Sequence, residues 1–181
     1  MAIKRTAQSS ASGTVSAGAA AVGDRVYLFG LSDTDSLTLT PPSDGQTWTE
    51  IDQGSEVGAA SSTLAGWWAD MVGSVPANFT VGGGTIAATV LFILNPNGDT
   101  LGTPDVPAMT TSIVGGSGAI TSPVLNAGAT SYTICAFSAD DQSTITTPPP
   151  LMDEGSGAIG TGCSLALFSA ADANDATFSD T

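Results

Sequence analysis

Apolar residues in this chain come in short runs, the longest spanning Ile86 to Leu94 (IAATVLFIL), and Gly- and Pro-rich punctuation separates one run from the next. Beside these short runs the chain shows period two, with almost no helical spacing. SLTLT (Ser36 to Thr40) alternates cleanly and QTWTEID (Gln46 to Asp52) alternates less cleanly around Trp48. Period two is the signature of a pleated strand, whose successive side chains point to opposite faces. Further strand candidates are Arg25 to Leu31, Thr63 to Val72, Ala77 to Val81, Thr85 to Leu94, Met109 to Val114 and Ala119 to Leu125. Ser131 to Ser138, Ser143 to Thr146, Gly162 to Ser169 and Ala176 to Ser179 complete the set. PPSDG, GGG at 82–84, NPNGD at 95–99, GGSG at 115–118, NAG at 126–128 and PPP at 148–150 supply the turns. Many short strands with such turns predict an all-β fold, an antiparallel β-sandwich of jelly-roll type. Ser61 to Met71 (SSTLAGWWADM) could also form a short helix, but its counterpart in the second half favours strand.

That counterpart belongs to an internal echo. Gly23, an apolar strand to Leu31, SLTLTPP, Gly54-Ser55, a strand with Leu64, Ala65 and Trp67, and Asn78-Phe79 follow one another in the first half. In the second half, Gly128, a strand to Phe137, STITTPP, Gly155-Ser156, a strand with Leu165, Ala166 and Phe168, and Thr177-Phe178 keep the same order. The echo reads as a duplicated hairpin unit inside one domain, residues 22–181.

Residues 1–21 differ from this body. MAIKRTAQSSASGTVSAGAA is small and polar and cannot offset its own ordering entropy by burial. Two of the three basic residues, Lys4 and Arg5, lie in it; the third is Arg25, and all 17 acidic residues begin at Asp24. A basic arm on an acidic body suits exchange between subunits, so Ile3, Lys4 and Arg5 are expected to make assembly contacts on a neighbouring copy. The net charge of −14 disfavours DNA, RNA and anionic membrane surfaces, which are held chiefly by Lys and Arg. The longest apolar run is too short to span a bilayer. TAQSSASGTVS is too polar for the apolar stretch of a signal peptide, which predicts a protein made in a cytoplasm and not exported by that route.

The chemistry open to the chain is narrow. It has no histidine, so Ser-His-Asp and Cys-His catalysis and His-ligated zinc are unavailable. Gly82-Gly83-Gly84 leads into Thr85 and not a phosphate-binding lysine, and GSGAIG at 155–160 lies between β segments and opens no helix. Glu50, Asp52, Glu56 and Asp70 are the carboxylates that could pair for acid–base work, and they read as solvated strand and loop residues. Oxygen ligands for Ca2+ occur at Asp33 with Asp35, at Asn95 to Asp99, and at Asp172, Asn174 and Asp175. These residues also favour turns for backbone reasons, and the turn reading is preferred. Cys135 and Cys163 sit in apolar segments and read as buried thiols. The expectation is a non-enzyme without a cofactor.

Tyr27, Phe29 and Trp48 are the expected core aromatics, with Trp48 mostly buried beneath the Pro41-Pro42 loop. Trp67 and Trp68 are adjacent on one strand, so one should enter the core and the other face outward. An outward Trp serves as a subunit contact or as a sugar-stacking platform, and the arm favours the contact.

The order of these pieces resembles that of a loosely defined group of short phage and prophage virion proteins. Their pattern reads here as Gly23-Asp24, VYLFGL, SLTLT, Pro41-Pro42, Gly45, Trp48-Thr49 and then Trp67-Trp68, with a weaker second copy, over roughly Val22 to Thr181. Gln46 and Thr47 separate Gly45 from Trp48, and the second copy has Leu151-Met152 after its prolines and no Trp. The resemblance implies a β-sandwich virion component. Joined to the arm, it gives a capsid decoration (cement) protein, a homotrimer on the outer surface of the head bound to the major capsid protein. A tail-fibre or receptor-binding module for host glycans is the alternative.

Overall fold

The computed structural model describes residues 4–34, 36–56, 62–98, 100–104, 120–121, 132–139, 152–153, 158–159, 164–171 and 179–180. Polarity sorts the strands. Strands β3 (Arg25–Ser32, RVYLFGLS) and β7 (Ala88–Asn95, ATVLFILN) are apolar and buried almost throughout. Such strands need cover on both faces and neighbours on both edges, which places them inside a sheet. Strands β1 (Lys4–Ser10, KRTAQSS) and β4 (Thr49–Glu56, TEIDQGSE) are polar and stand at its two edges. With β5 (Ser62–Asp70) the order is β1-β7-β3-β5-β4, every pair antiparallel. Two short strands, β2 (Thr14–Ser16) and β6 (Asn78–Thr80), pair as a separate ribbon.

The remaining strands are β8 (Ile120–Thr121), β9 (Tyr132–Ala139), β10 (Met152–Asp153), β11 (Ala158–Ile159), β12 (Ser164–Ala171) and β13 (Ser179–Asp180). β12 pairs antiparallel with β9, β10 and β11, and β13 with β8. No helix occurs among the described residues, and Ser62–Asp70 is strand. The strands that the internal echo equates, β3 with β9 and β5 with β12, pair with each other within each half.

Alternation along the central strands divides the core in two. Val26, Leu28, Ala65, Trp67, Leu91 and Ile93 line one face of the five-stranded sheet, under Val15, Leu39, Met71, Phe79, Val81 and Ile86. Phe29, Leu31, Val90, Phe92 and Leu94 line the other, where Leu101 and Ile134 and Ala136 of β9 pack. Phe29 lies across Gly66: a Cβ on Gly66 would sit 2.7 Å from two atoms of its ring.

Two expectations are overturned. The N-terminal segment does not lie wholly on a neighbouring copy, because β1 runs along β7 of its own chain, Lys4 opposite Asn95 and Ser10 opposite Thr89. The reason is the edge of β7, whose main-chain groups need partners that a polar strand supplies without burying side chains. Thr89 Oγ1 donates to the Ser12 carbonyl at 2.6 Å, and Val15 and Ala17, 1% and 4% exposed, anchor the following stretch in the core. Ser36 to Thr40 is not a strand; Thr40 alone forms a bridge, with Gly82. Its alternation is real, with Leu39 buried between exposed Thr38 and Thr40, but the Gln53 side chain stands in for a partner strand. The Leu39 N–H donates to Gln53 Oε1 at 2.8 Å, and Gln53 Nε2 donates to the Leu37 carbonyl at 3.4 Å. Gly83, at φ +94°, passes so close to the Thr38 carbonyl that a Cβ would overlap it.

Candidate functional site

Gly23-Asp24, the 44–49 loop and Trp67-Trp68, three pieces of the sequence pattern, meet at one end of the five-stranded sheet, whereas Ser36 and Leu37 of SLTLT bond to Ser55 and Thr63 at the other end. At the first of these ends β3 and β4 begin and β5 ends. The Gly23 N–H donates to the Met71 carbonyl at 2.9 Å and the Met71 N–H to the Asp24 carbonyl at 2.8 Å, extending the β3–β5 pairing by one step. The buried Asp24 carboxylate accepts from the Ala21 N–H at 2.8 Å and from Asn95 Nδ2 at 2.6 Å, which closes the turn before β3 and ties it to the end of β7.

Arg25 stands opposite Asp70 in the β3–β5 register. It grips that carboxylate with two donors, Nε to Oδ1 at 2.7 Å and Nη2 to Oδ2 at 2.9 Å. A third donor, Nη1, reaches the Gly102 carbonyl, and the guanidinium lies 4.5 Å from the ring centroid of Trp68. The residue is only 5% exposed, whereas the Asp70 side chain is 54% exposed. The hydrogen bonds to Asp70 raise the guanidinium pKa further above its usual value. Burial raises the pKa of half-buried Tyr27, with the neighbouring Arg25 charge opposing it.

The loop before β4 closes the same end. Asp44 Oδ1 accepts from the Gln46 N–H and from Trp48 Nε1, both at 3.0 Å. Such carboxylate-to-backbone bonding two residues on is an Asx turn. Gln46 then bridges to the segment after β5: Nε2 donates to the Val72 and Ser74 carbonyls, and Oε1 accepts the Val72 N–H at 2.9 Å. Trp48 packs edge-on against Phe79, ring centroids 5.5 Å apart at 86°. It is half-buried and not mostly buried, because its N–H must reach Asp44 at the rim of the loop. Phe29 is buried.

Trp67 and Trp68 face opposite ways. Trp67 is 1% exposed in the first core, and its indole N–H meets no acceptor among the described residues. Trp68 is half-buried beneath Arg25. The exposed large apolar residues among those described, Val22 and Val72, flank the joined Gly23 and Met71. Lys4 and Arg5 lie at the start of β1, and Glu50, Asp52 and Glu56 along β4, at opposite edges of the sheet.

Among the expected carboxylates, Asp70 is held by Arg25, and Glu50, Asp52 and Glu56 are spread along one strand. Asn95 uses its side chain on Asp24 and on the Asn97 N–H, as a turn residue does. No group of metal ligands occurs among the described residues. A cavity of about 60 Å³ lined by Thr6, Ala19, Ala21, Asp24, Ile93 and Asn95 has room for one or two waters. Among the described residues no helix is long and apolar enough to cross a membrane. Ile3, Asp35, Asp99, Cys163 and residues 172–175 lie outside the described residues, and so do the side chains of Lys4, Arg5, Glu56 and Cys135.

Sequence reasoning missed the Arg25–Asp70–Trp68 cluster. One signal was available: an arginine opening an otherwise apolar strand, in a chain with only three basic residues, has to find an acid. Comparison with protein-family models, curated proteins and solved structures finds no match for this chain.

Proposed function

We propose that this chain is a structural subunit of a bacteriophage virion, a capsid decoration protein that stabilises the head shell as a homotrimer on its outer surface. The observation that carries the reading is the convergence just described. Gly23-Asp24, the 44–49 loop and Trp67 to Val72 are bonded to one another at one end of the sheet. Three pieces of the ordered pattern that resembles short virion proteins thus lie together in one bonded unit, which supports the reading. The surface chemistry agrees with the role. A cement protein needs persistence and contact area, and this chain fastens its polar groups internally, Arg25 to Asp70, Asp24 to Asn95 and Asp44 to Trp48. In this reading the β9–β12 pair forms the second layer of a sandwich over the face lined by Phe29 and Phe92, the layer Ile134 and Ala136 begin.

The glycan-binding alternative drew on an outward tryptophan as a stacking platform. One face of Trp68 is already taken by the Arg25 guanidinium, which favours the structural role.

The test is reconstitution. Head shells from the phage encoding the sequence, prepared without this protein, are mixed with the purified chain and then heated. Saturable binding to intact shells, with a higher temperature of shell rupture, is expected. Shells that neither bind the chain nor gain heat resistance would overturn the proposal.

A further inference from the structure

The two edges of the five-stranded sheet carry opposite charge. Lys4 and Arg5 lie on β1, and Glu50, Asp52 and Glu56 lie on β4. Each of these strands has a partner on one side only among the described strands. Their lengths match, seven and eight residues, or roughly 23–26 Å at about 3.3 Å per residue. The third cation, Arg25, is already committed to Asp70. Every other basic residue in the chain thus stands on one edge strand.

We propose that copies of this chain join edge to edge, β1 of one copy lying beside β4 of the next. The inference rests on reading the chain as a subunit of an assembly that contains its own copies. Charge selects this contact from the three possible ones. Pairing β1 with its own copy in the antiparallel sense of a two-fold contact sets Lys4 and Arg5 across from Ser10 and Ser9 and gains no opposite charge, and pairing β4 with its own copy brings Glu50 of one near Glu56 of the other. Like charges across paired strands are destabilising. Only β1 with β4 sets opposite signs together, and the β4 carboxylates that attract β1 repel a second β4. On a chain of net charge −14, β1 is also the strand an acidic neighbour can approach most cheaply.

The geometry sets the kind of assembly. Four antiparallel pairings separate β1 from β4, so the two edge strands run in the same direction. The contact joins unlike surfaces and is heterologous, giving a ring where the rotation closes and a filament where it does not. A three-membered ring is the closed form that a trimeric decoration protein would take. The register shift between Glu50 and Asp52 is a local irregularity of β4, leaving residues 52–56 as its regularly paired stretch. Charged, irregular edges also serve to block edge pairing. Blocking, however, works with either sign and does not call for opposite signs on the two edges.

The experiment uses two charge-reversed full-length chains, one with Lys4→Glu and Arg5→Glu, the other with Glu50→Lys and Glu56→Lys. Sedimentation velocity is run at about 0.1 M salt, where the Debye length is near 10 Å and distant charges count little. Circular dichroism checks that each chain is folded. The unaltered chain is expected to self-associate, each variant alone at least about tenfold more weakly, and an equimolar mixture of the variants to recover association as alternating pairs or open chains, since an odd-membered ring would set two like-charged edges together. If the β1 variant does not fold, the β4 variant added to the unaltered chain is expected to lower its mean assembly size, since it presents only one competent edge. An unaltered chain that stays monomeric overturns the proposal, as do variants that associate like it or a folded pair that does not recover on mixing. No shell enters this assay, so its failure is distinguishable from failure of the virion reading. Shells that bind the chain as separate monomers would refute the edge contact alone.

Discussion

Removing the Arg25–Asp70 pair by a double-mutant cycle is expected to show a coupling of about 1–2 kcal/mol. Exposed ion pairs usually give about 0.2–1 kcal/mol, and truncating one partner of a fully buried pair costs about 3–5 kcal/mol. This pair lies between those cases. Its two hydrogen bonds, at 2.7 and 2.9 Å, form the bidentate geometry that strengthens such contacts, and the Arg25 side chain is 6% exposed. Asp70 is more than half exposed, so solvent screens part of the attraction. Arg25→Ala alone should cost more, about 3 kcal/mol, because it also uncovers Trp68 and abandons the Gly102 carbonyl. Asp70→Ala should cost about 2 kcal/mol, leaving the guanidinium buried beside Trp68. Urea unfolding followed by tryptophan fluorescence measures all four corners of the cycle. At about 2–4 °C per kcal/mol for a chain of this size, Arg25→Ala should lower Tm by roughly 6–12 °C. A coupling near zero, with Asp70→Ala as stable as the unaltered chain, would refute the reasoning and leave Arg25 as packing alone.

Three further outcomes follow from the same geometry. Deleting residues 1–10 should change stability modestly, since about 0.5–1.5 kcal/mol per ladder hydrogen bond is nearly offset by about 1–2 kcal/mol of ordering entropy per residue; the bared edge of β7 should instead show as aggregation in light scattering, and a truncated chain that stays monodisperse at high concentration would contradict this. Trp48→Ala should cost about 2 kcal/mol in chemical denaturation, below the 3–5 kcal/mol of a fully buried aromatic because Trp48 is half-buried, and a cost above about 4 would place it deeper than its contacts with Phe79 and Asp44 indicate. Burial raises the Tyr27 pKa above its usual value of 10.0, so the phenol stays neutral in the folded chain while it ionises in the unfolded one; this stabilisation is fully present below about pH 10 and is lost as pH rises beyond it, and Tyr27→Phe should flatten that alkaline fall in Tm, whereas an unchanged slope would count against it.

The parts of the fold that were legible in the sequence are those where side chains decide. β3, β5 and β7 carry the apolar residues that the two cores require, and the opposed placement of Trp67 and Trp68 follows from the pleat alone. β1 and β2 were not legible, because their pairing serves the edge of β7 and Phe79 and leaves little apolar trace in KRTAQSS or TVS. SLTLT misled in the opposite direction: its alternation is a burial pattern, and a strand also needs a neighbour, whose place Gln53 takes. Arg25 and Asp70, 45 residues apart, meet only through the β3–β5 register, which no local pattern encodes. The turn chemistry of Asp44 and Asn95 could be read in advance, since Asn and Asp favour such bonds wherever a turn is needed.

The central claim is that this chain coats a phage head, and the most direct measurement is its copy number and position in a cryo-EM map of the particle encoding it. The account predicts β-rich density of about 17.8 kDa per subunit, repeated hundreds of times on the outer shell in three-fold clusters. Density confined to the tail in a handful of copies, or a particle that lacks the chain, would contradict it.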